Sequence, residues 1–199
     1  DLWKIFEEYN SLFQNQNGSE IHSKILNSAM FSMKENEEWR FLNFFENWNP
    51  DNFIESDWKE VKKDDKIYPP MAIKAIKKAF DLIKVGTAYN NLDKIVNAYK
   101  IGVTKFPKDI WLKREYATLL ARNNETEEAI KIYKNLVLEI GDQAYVWHEF
   151  ALLFSMEEVD LSIGMLSKAI KLQKDENFLG STRLDLAEKL IKKNKLEEA

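Results

Sequence analysis

A chain of 199 residues, 45% hydrophobic and 31% charged, has the composition of a globular protein with a sizeable core. Six glycines and four prolines leave too few turn formers for a sandwich or barrel, and the absence of cysteine excludes disulfides, thiolate metal sites and cysteine nucleophiles. The formal net charge of −4 divides into −6 over residues 1–68 and +2 over residues 69–199, without the basic stripe that neutralising several phosphates requires, so nucleic-acid binding is not expected.

No apolar run approaches the roughly 20 residues of a membrane span, and the opening "DLWKIFEEYN" has neither the basic start nor the apolar stretch of a secretory signal. A soluble protein is expected, and the lack of cysteine agrees with a reducing cytoplasm. The chain opens on Asp1 rather than methionine and reads as part of something longer.

In chain order, "DLWKIFEEYNSLF" predicts a helix with Leu2, Ile5, Phe6, Tyr9, Leu12 and Phe13 on its packed face, ended by "QNQNGSE". A second helix is predicted from about Glu20 to Met33, with Ser19 as N-cap and Ile21, Ile25, Leu26, Ala29, Met30 and Met33 as its stripe. The third, "NEEWRFLNFFENW", carries one stripe of Phe41, Phe44, Phe45 and Trp48 and another of Trp39 and Leu42; a helix apolar on most sides is expected to be buried within the chain or covered by a partner. After it come a turn at Asn49–Pro50, a short helix with Phe53 and Trp58, and a charged connector over residues 59–66. That connector divides an N-terminal helical region, 1–68, from a second region, 69–199, on which the first is expected to pack as a cap. Pro69 and Pro70 suit the entry to the second region's first helix.

From there one plan recurs. "DKIVNAYKIGVTKFP", "EEAIKIYKNLVLEIG" and "LSIGMLSKAIKLQK" are three amphipathic helices whose packed faces begin at Ile95, Ala129 and Ser162, with Ala199 in the same place at the chain's end. Four residues on stand Tyr99, Tyr133 and Leu166, then Gly102, Leu136 and Ala169, then Pro107, Gly141 and Lys174. Upstream of each lies a second helix with a small or apolar residue at Ile83, Ala117, Ala151 or Ala187, and Gly86 continues the first of these stripes. The unit is helix, short turn, helix. In the turns "ARNNETEEA" and "IKKNKLEEA", Asn124 and Asn194 end one helix while acidic residues suit the positive N-terminus of the next. Pairs are expected to begin near Ala72, Asp109, Gln143 and Phe178.

Over about residues 72–199 this plan resembles the tetratricopeptide repeat (TPR) superfamily, whose unit is a helical pair of about 34 residues with small side chains where the two helices cross. "WHEFALLFS" is similar to the family's first-helix motif and "SIGMLSKAIKLQKD" to its second. The resemblance implies an all-α fold, a right-handed α-solenoid of helix pairs, with residues 1–68 as an N-terminal helical cap. Because each pair cannot bury its apolar face alone, neighbours stack. The pair opening at Ala199 is expected to be completed by a further helix of the natural protein or by another chain.

No catalytic constellation emerges. His22 and His148 are the only histidines, and Glu149 beside His148 points roughly 100° away on a helix, so the two are not a ready ligand pair. Acidic doublets such as Glu127–Glu128 read as solvated helix starts, and Gly180–Ser181–Thr182 lacks a phosphate loop's surroundings. Neither catalysis, a metal nor a cofactor is expected.

What remains is a surface. In the TPR family the first helices line a concave groove that holds peptides. Carried over position by position, the resemblance implies groove positions at Lys77, Phe80 and Lys84; at Trp111, Arg114, Thr118 and Arg122; at Tyr145, His148, Leu152 and Met156; and at Glu188 and Lys192. Basic side chains beside aromatic ones suit an acidic or aromatic-containing protein segment. Chaperone-binding members hold a C-terminal carboxylate with lysines and asparagines, and no asparagine stands at these positions. The implied function is a noncatalytic scaffold or adaptor in the cytoplasm that binds a peptide, a protein or a flanking domain of its own chain. The alternative is a regulatory or sensor arm of a larger multidomain enzyme of bacterial signalling or defence, with catalysis outside these residues.

Overall fold

The helical periods of the sequence become ten α-helices, three short 3-10 turns and one small hairpin among the described residues of the computed structural model, which are 2–13, 18–32, 38–84, 92–155 and 157–193. Met33, Gly86, Met156, Asn194 and Ala199, each given a role by the sequence pattern, lie outside them. The chain divides into two compact units, Asp1–Leu119 and Leu120–Ala199.

The first unit opens with α1 (Leu2–Phe13), α2 (Glu20–Phe31) and α3 (Glu38–Trp48). The pattern of α3 is explained by burial inside the unit: Phe41, Leu42, Phe44, Phe45 and Trp48 are enclosed, while Trp39 stays half exposed. α1, α2 and α4 (Met71–Lys84) all pack against it. Ser19 caps α2 as expected, its hydroxyl accepting from the backbone N–H of His22 at 3.2 Å.

Phe6 of α1 and Leu26, Ala29 and Met30 of α2 are buried as expected, but the rest of the two inward faces differs from the expected ones. α1 buries Trp3, Phe6 and Asn10 and leaves Leu2, Ile5 and Leu12 exposed; α2 buries His22 and Ser23 and exposes Ile21. The cause is hydrogen bonding, which an apolar stripe does not register. Asn10 donates to the carbonyl of Phe44 at 3.0 Å, while the rings of Trp3 and Phe6 pack against Phe44. His22 stacks on Trp48 with ring centroids 4.4 Å apart; its Nε2 donates to the Trp48 carbonyl at 3.0 Å, and the Trp48 indole N–H donates to the His22 carbonyl at 2.9 Å. The hydroxyl of Tyr9 lies 2.9 Å from His22 Nδ1. Burial holds the His22 imidazole below its ordinary pKa, and so in the neutral form these bonds use.

The charged connector proves to be a hairpin. β1 (Val61–Lys63) pairs antiparallel with β2 (Lys66–Tyr68), Val61 opposite Tyr68 and Lys63 opposite Lys66. Asp64 and Asp65 take φ of 51° and 60°, the positive angles that a two-residue type I′ turn requires. Every residue of the hairpin is exposed.

α4 begins after Pro70, whose carbonyl accepts from Lys74 N–H, and is buried on most of its circumference by Ala72, Ile76, Ala79, Phe80 and Ile83 among others. α5 (Asp93–Lys105) packs on it. The side chains of Ile76 and Leu112 approach Gly102 so closely that an added Cβ would stand 3.3 and 3.2 Å from them. α6 (Ile110–Arg122) closes the unit, its last turn belonging to the second.

In the second unit, Asn124 ends α6 as the sequence predicts, with φ 64°, and Glu125 N–H bonds back to the Leu120 carbonyl at 2.8 Å. Then come α7 (Thr126–Ile140), α8 (Ala144–Ala151), α9 (Val159–Leu172) and α10 (Gly180–Lys192). The crossing of α8 and α9 uses small residues as expected. Ala151 and Ser162 are wholly enclosed, and the Ser162 hydroxyl donates to the Ala151 carbonyl at 2.9 Å. α10 packs on α9, where Lys193 pairs with Asp160. First helices begin at Met71, Ile110, Ala144 and Gly180, within two residues of the predicted starts.

Candidate functional site

The first-helix positions singled out by the repeat fall in both units. In the first unit Lys77 is half-buried on α4 and Lys84 exposed at its end. Phe80 does not face solvent: it is buried, its ring 6.1 Å from that of Tyr99, and belongs to the core. On α6, Trp111 and Arg114 are three residues apart and therefore on one face. Trp111 is 58% exposed, and the Arg114 guanidinium lies over its ring at 4.5 Å. Thr118 turns its hydroxyl back to the Arg114 carbonyl at 3.0 Å. The result is an exposed indole under a stacked cation.

In the second unit Arg122 and Lys192 are exposed and Tyr145 is half-buried. His148 is engaged within the unit. Its Nε2 lies 2.6 Å from the Asp185 carboxylate and its Nδ1 3.3 Å from the Thr182 hydroxyl, so the imidazole ties α8 to α10. Leu152 and Glu188 are exposed.

Apart from Glu188, acidic residues were absent from the sequence-based set, and the structure engages three more on the same helices: Asp185 with His148, and two glutamates with tyrosines of the second helices. Tyr99 donates to Glu115 at 2.9 Å, and Tyr133 donates to Glu149 at 3.0 Å. Tyrosine and glutamate are 16 residues apart in both pairs, and the second pair copies the first at the repeat interval. The two columns recurring together at that interval were the signal that could have revealed the tie. In the next copy Leu166 stands in the tyrosine column, and Asp185, two residues before Ala187 as Glu149 is before Ala151, turns to His148 instead. Burial raises the pKa of the Glu115 carboxyl, opposed by the charge of nearby Lys77 and by the bond from Tyr99. Burial, and then Glu115, push the Tyr99 phenol far above the usual tyrosine range. Lys77 thus has an acid beside it.

Among the described residues no group of three or more His, Cys, Asp or Glu is placed to hold a metal ion, and no helix is long and apolar enough to cross a membrane.

Solved structures that resemble this chain include two of MamA. MamA 41-end from Desulfovibrio magneticus RS-1 superposes with a TM-score of 0.57 at 12% identity, over 89% of this chain and 88% of that one. The MamA RS-1 ArsTM double mutant gives 0.51 at 13% identity, over 89% and 93%. At such low identity the likeness shows the fold alone, an all-α helical repeat of the solenoid class. A family model described as a domain of unknown function, DUF7017, matches residues 110–199. No curated protein matches this chain in sequence.

Proposed function

We propose that this chain is a noncatalytic scaffold or adaptor that holds a segment of another protein, or of a flanking domain, against the exposed faces of its first helices. The observation that carries the reading is Trp111: a large aromatic left 58% exposed on a first helix, with the Arg114 guanidinium stacked over it. An indole supplies anchor area at small entropic cost, and arginine grips carboxylates with two parallel hydrogen bonds. Lys84 in the first unit and Arg122 and Lys192 in the second add exposed positive charge. Lys77, Thr118, Tyr145 and His148 complete the set. An acidic, aromatic-containing segment is the complementary ligand, and the cytoplasm its compartment.

The solved neighbours supply the fold on which such a reading rests, and TPR-type repeats characteristically bind proteins. The test is capture of proteins by the immobilised chain. Replacing Arg114 and Tyr145 with alanine is expected to weaken capture at least about tenfold, the scale of one lost charged or aromatic anchor, with unchanged helical circular dichroism. Undiminished capture by that variant would move the binding surface elsewhere.

A further inference from the structure

Asp57 is the most deeply buried carboxylate of the first unit's described residues, at 6% exposure. One of its oxygens, Oδ2, accepts from the Ser23 hydroxyl at 2.7 Å and from the Ile54 N–H at 3.0 Å. The other, Oδ1, receives no hydrogen bond from the described residues, and no lysine or arginine among them pairs with Asp57. Burial raises the pKa of the Asp57 carboxyl, opposed by the bonds from Ser23 and Ile54 and by nearby His22, whose own pKa burial lowers. A buried carboxylate is costly without a cation.

The residue also lines an open pocket of about 250 Å³ between α2, the turn Glu55–Trp58 and the start of α4. Ser23, Ser56 and Glu20 bring further side-chain oxygens to it, while Ile54 and Met71 give it apolar wall. Oxygen acceptors around a carboxylate oxygen that receives no hydrogen bond match the three N–H donors of an ammonium group, and the apolar wall matches an alkyl stem. We propose that this pocket binds the side chain of a lysine presented by a partner protein, its ammonium group paired with Asp57. Such a site lies apart from the first-helix positions and stands whether or not they bind a segment.

The probe is Nα-acetyl-lysine methylamide, titrated into the 199-residue chain and followed by the amide resonances of Ser23, Ile54 and Asp57. Saturable shifts are expected. Acetylating the probe's ε-amine removes the charge and should weaken binding about tenfold or more, as for loss of a charge-assisted hydrogen bond. Asp57→Asn keeps an oxygen for Ser23 and Ile54 while placing an NH₂ donor in the pocket, and should abolish binding in a folded protein. Lys24, itself exposed, also lines the pocket, so Lys24→Ala should tighten binding by removing a competing positive charge, and it tests the site even if Asp57→Asn does not fold. An absence of saturable shifts, equal binding of the acetylated probe, or indifference to Asp57→Asn would overturn the proposal. A stronger response to alaninamide, which offers an α-ammonium without the lysine stem, would overturn the lysine assignment.

Discussion

The N-terminal helices and the repeat helices bury different chemistry. Among the described residues of 2–58, four polar side chains are enclosed, Asn10, His22, Ser23 and Asp57, each tied to a particular partner on another element. Among their described residues the repeat helices enclose Ser162 and Thr182 and otherwise bury mainly apolar and small residues in recurring columns. A network of unique bonds fixes one arrangement and tolerates little, because a buried donor or acceptor stripped of its partner costs about 1–3 kcal/mol. Columns distribute stability over many similar contacts.

The largest effect should therefore fall in the network. Trp48→Ala removes a wholly buried ring that also donates to His22 and stacks on it, and is expected to cost about 3–5 kcal/mol in chemical denaturation. Next, Ala151→Leu overpacks the crossing of α8 with α9, an expected loss of about 1–3 kcal/mol. Should Ala151→Leu prove costlier than Trp48→Ala, the contrast between the two regions reverses.

A smaller pair of changes sharpens it. Glu115→Ala leaves the buried Tyr99 hydroxyl without its acceptor, an expected loss of about 1–2 kcal/mol, whereas Glu115→Gln keeps an oxygen there and should be close to neutral at pH 7. The pH dependence separates them further. Because the folded carboxyl titrates above its ordinary value, its stabilising contribution is complete below the ordinary carboxylate pKa and is lost as pH rises through the folded one. Glu115→Gln should remove that slope, which thermal melts from about pH 4 to about pH 8 would detect. Smallest of all, Trp111→Ala should change stability by no more than about 0.5 kcal/mol, since the ring is exposed. A large loss there would make Trp111 structural.

The repeat was legible because identity recurs: Ala117 and Ala151 are small in the same column, and both are wholly buried. The turn at Asn124 was legible because few residues take positive φ readily. The inward faces of α1 and α2 were legible only at Phe6, Leu26, Ala29 and Met30, since Asn10, His22 and Ser23 enter the core through bonds to residues 26 to 34 positions away, which no local period encodes. The hairpin was missed because Asp64–Asp65 lacks the glycine that usually announces such a turn. At the candidate site the basic and aromatic positions were readable as a column, but the acids beside them were not, because Glu115 and Glu149 fall one residue outside the positions that the family pattern supplies.

The central claim is that a first-helix face, and not the outside of the second helices, binds protein. The direct measurement is quantitative capture from a native extract by three immobilised forms: the unaltered chain, Trp111→Ala with Arg114→Ala, and Leu138→Ala. Leu138 is the comparison because it is 84% exposed on the second helix α7. The first-helix variant is expected to lose its bound proteins about tenfold or more while Leu138→Ala retains them. Retention by the first-helix variant together with loss in Leu138→Ala would contradict that claim.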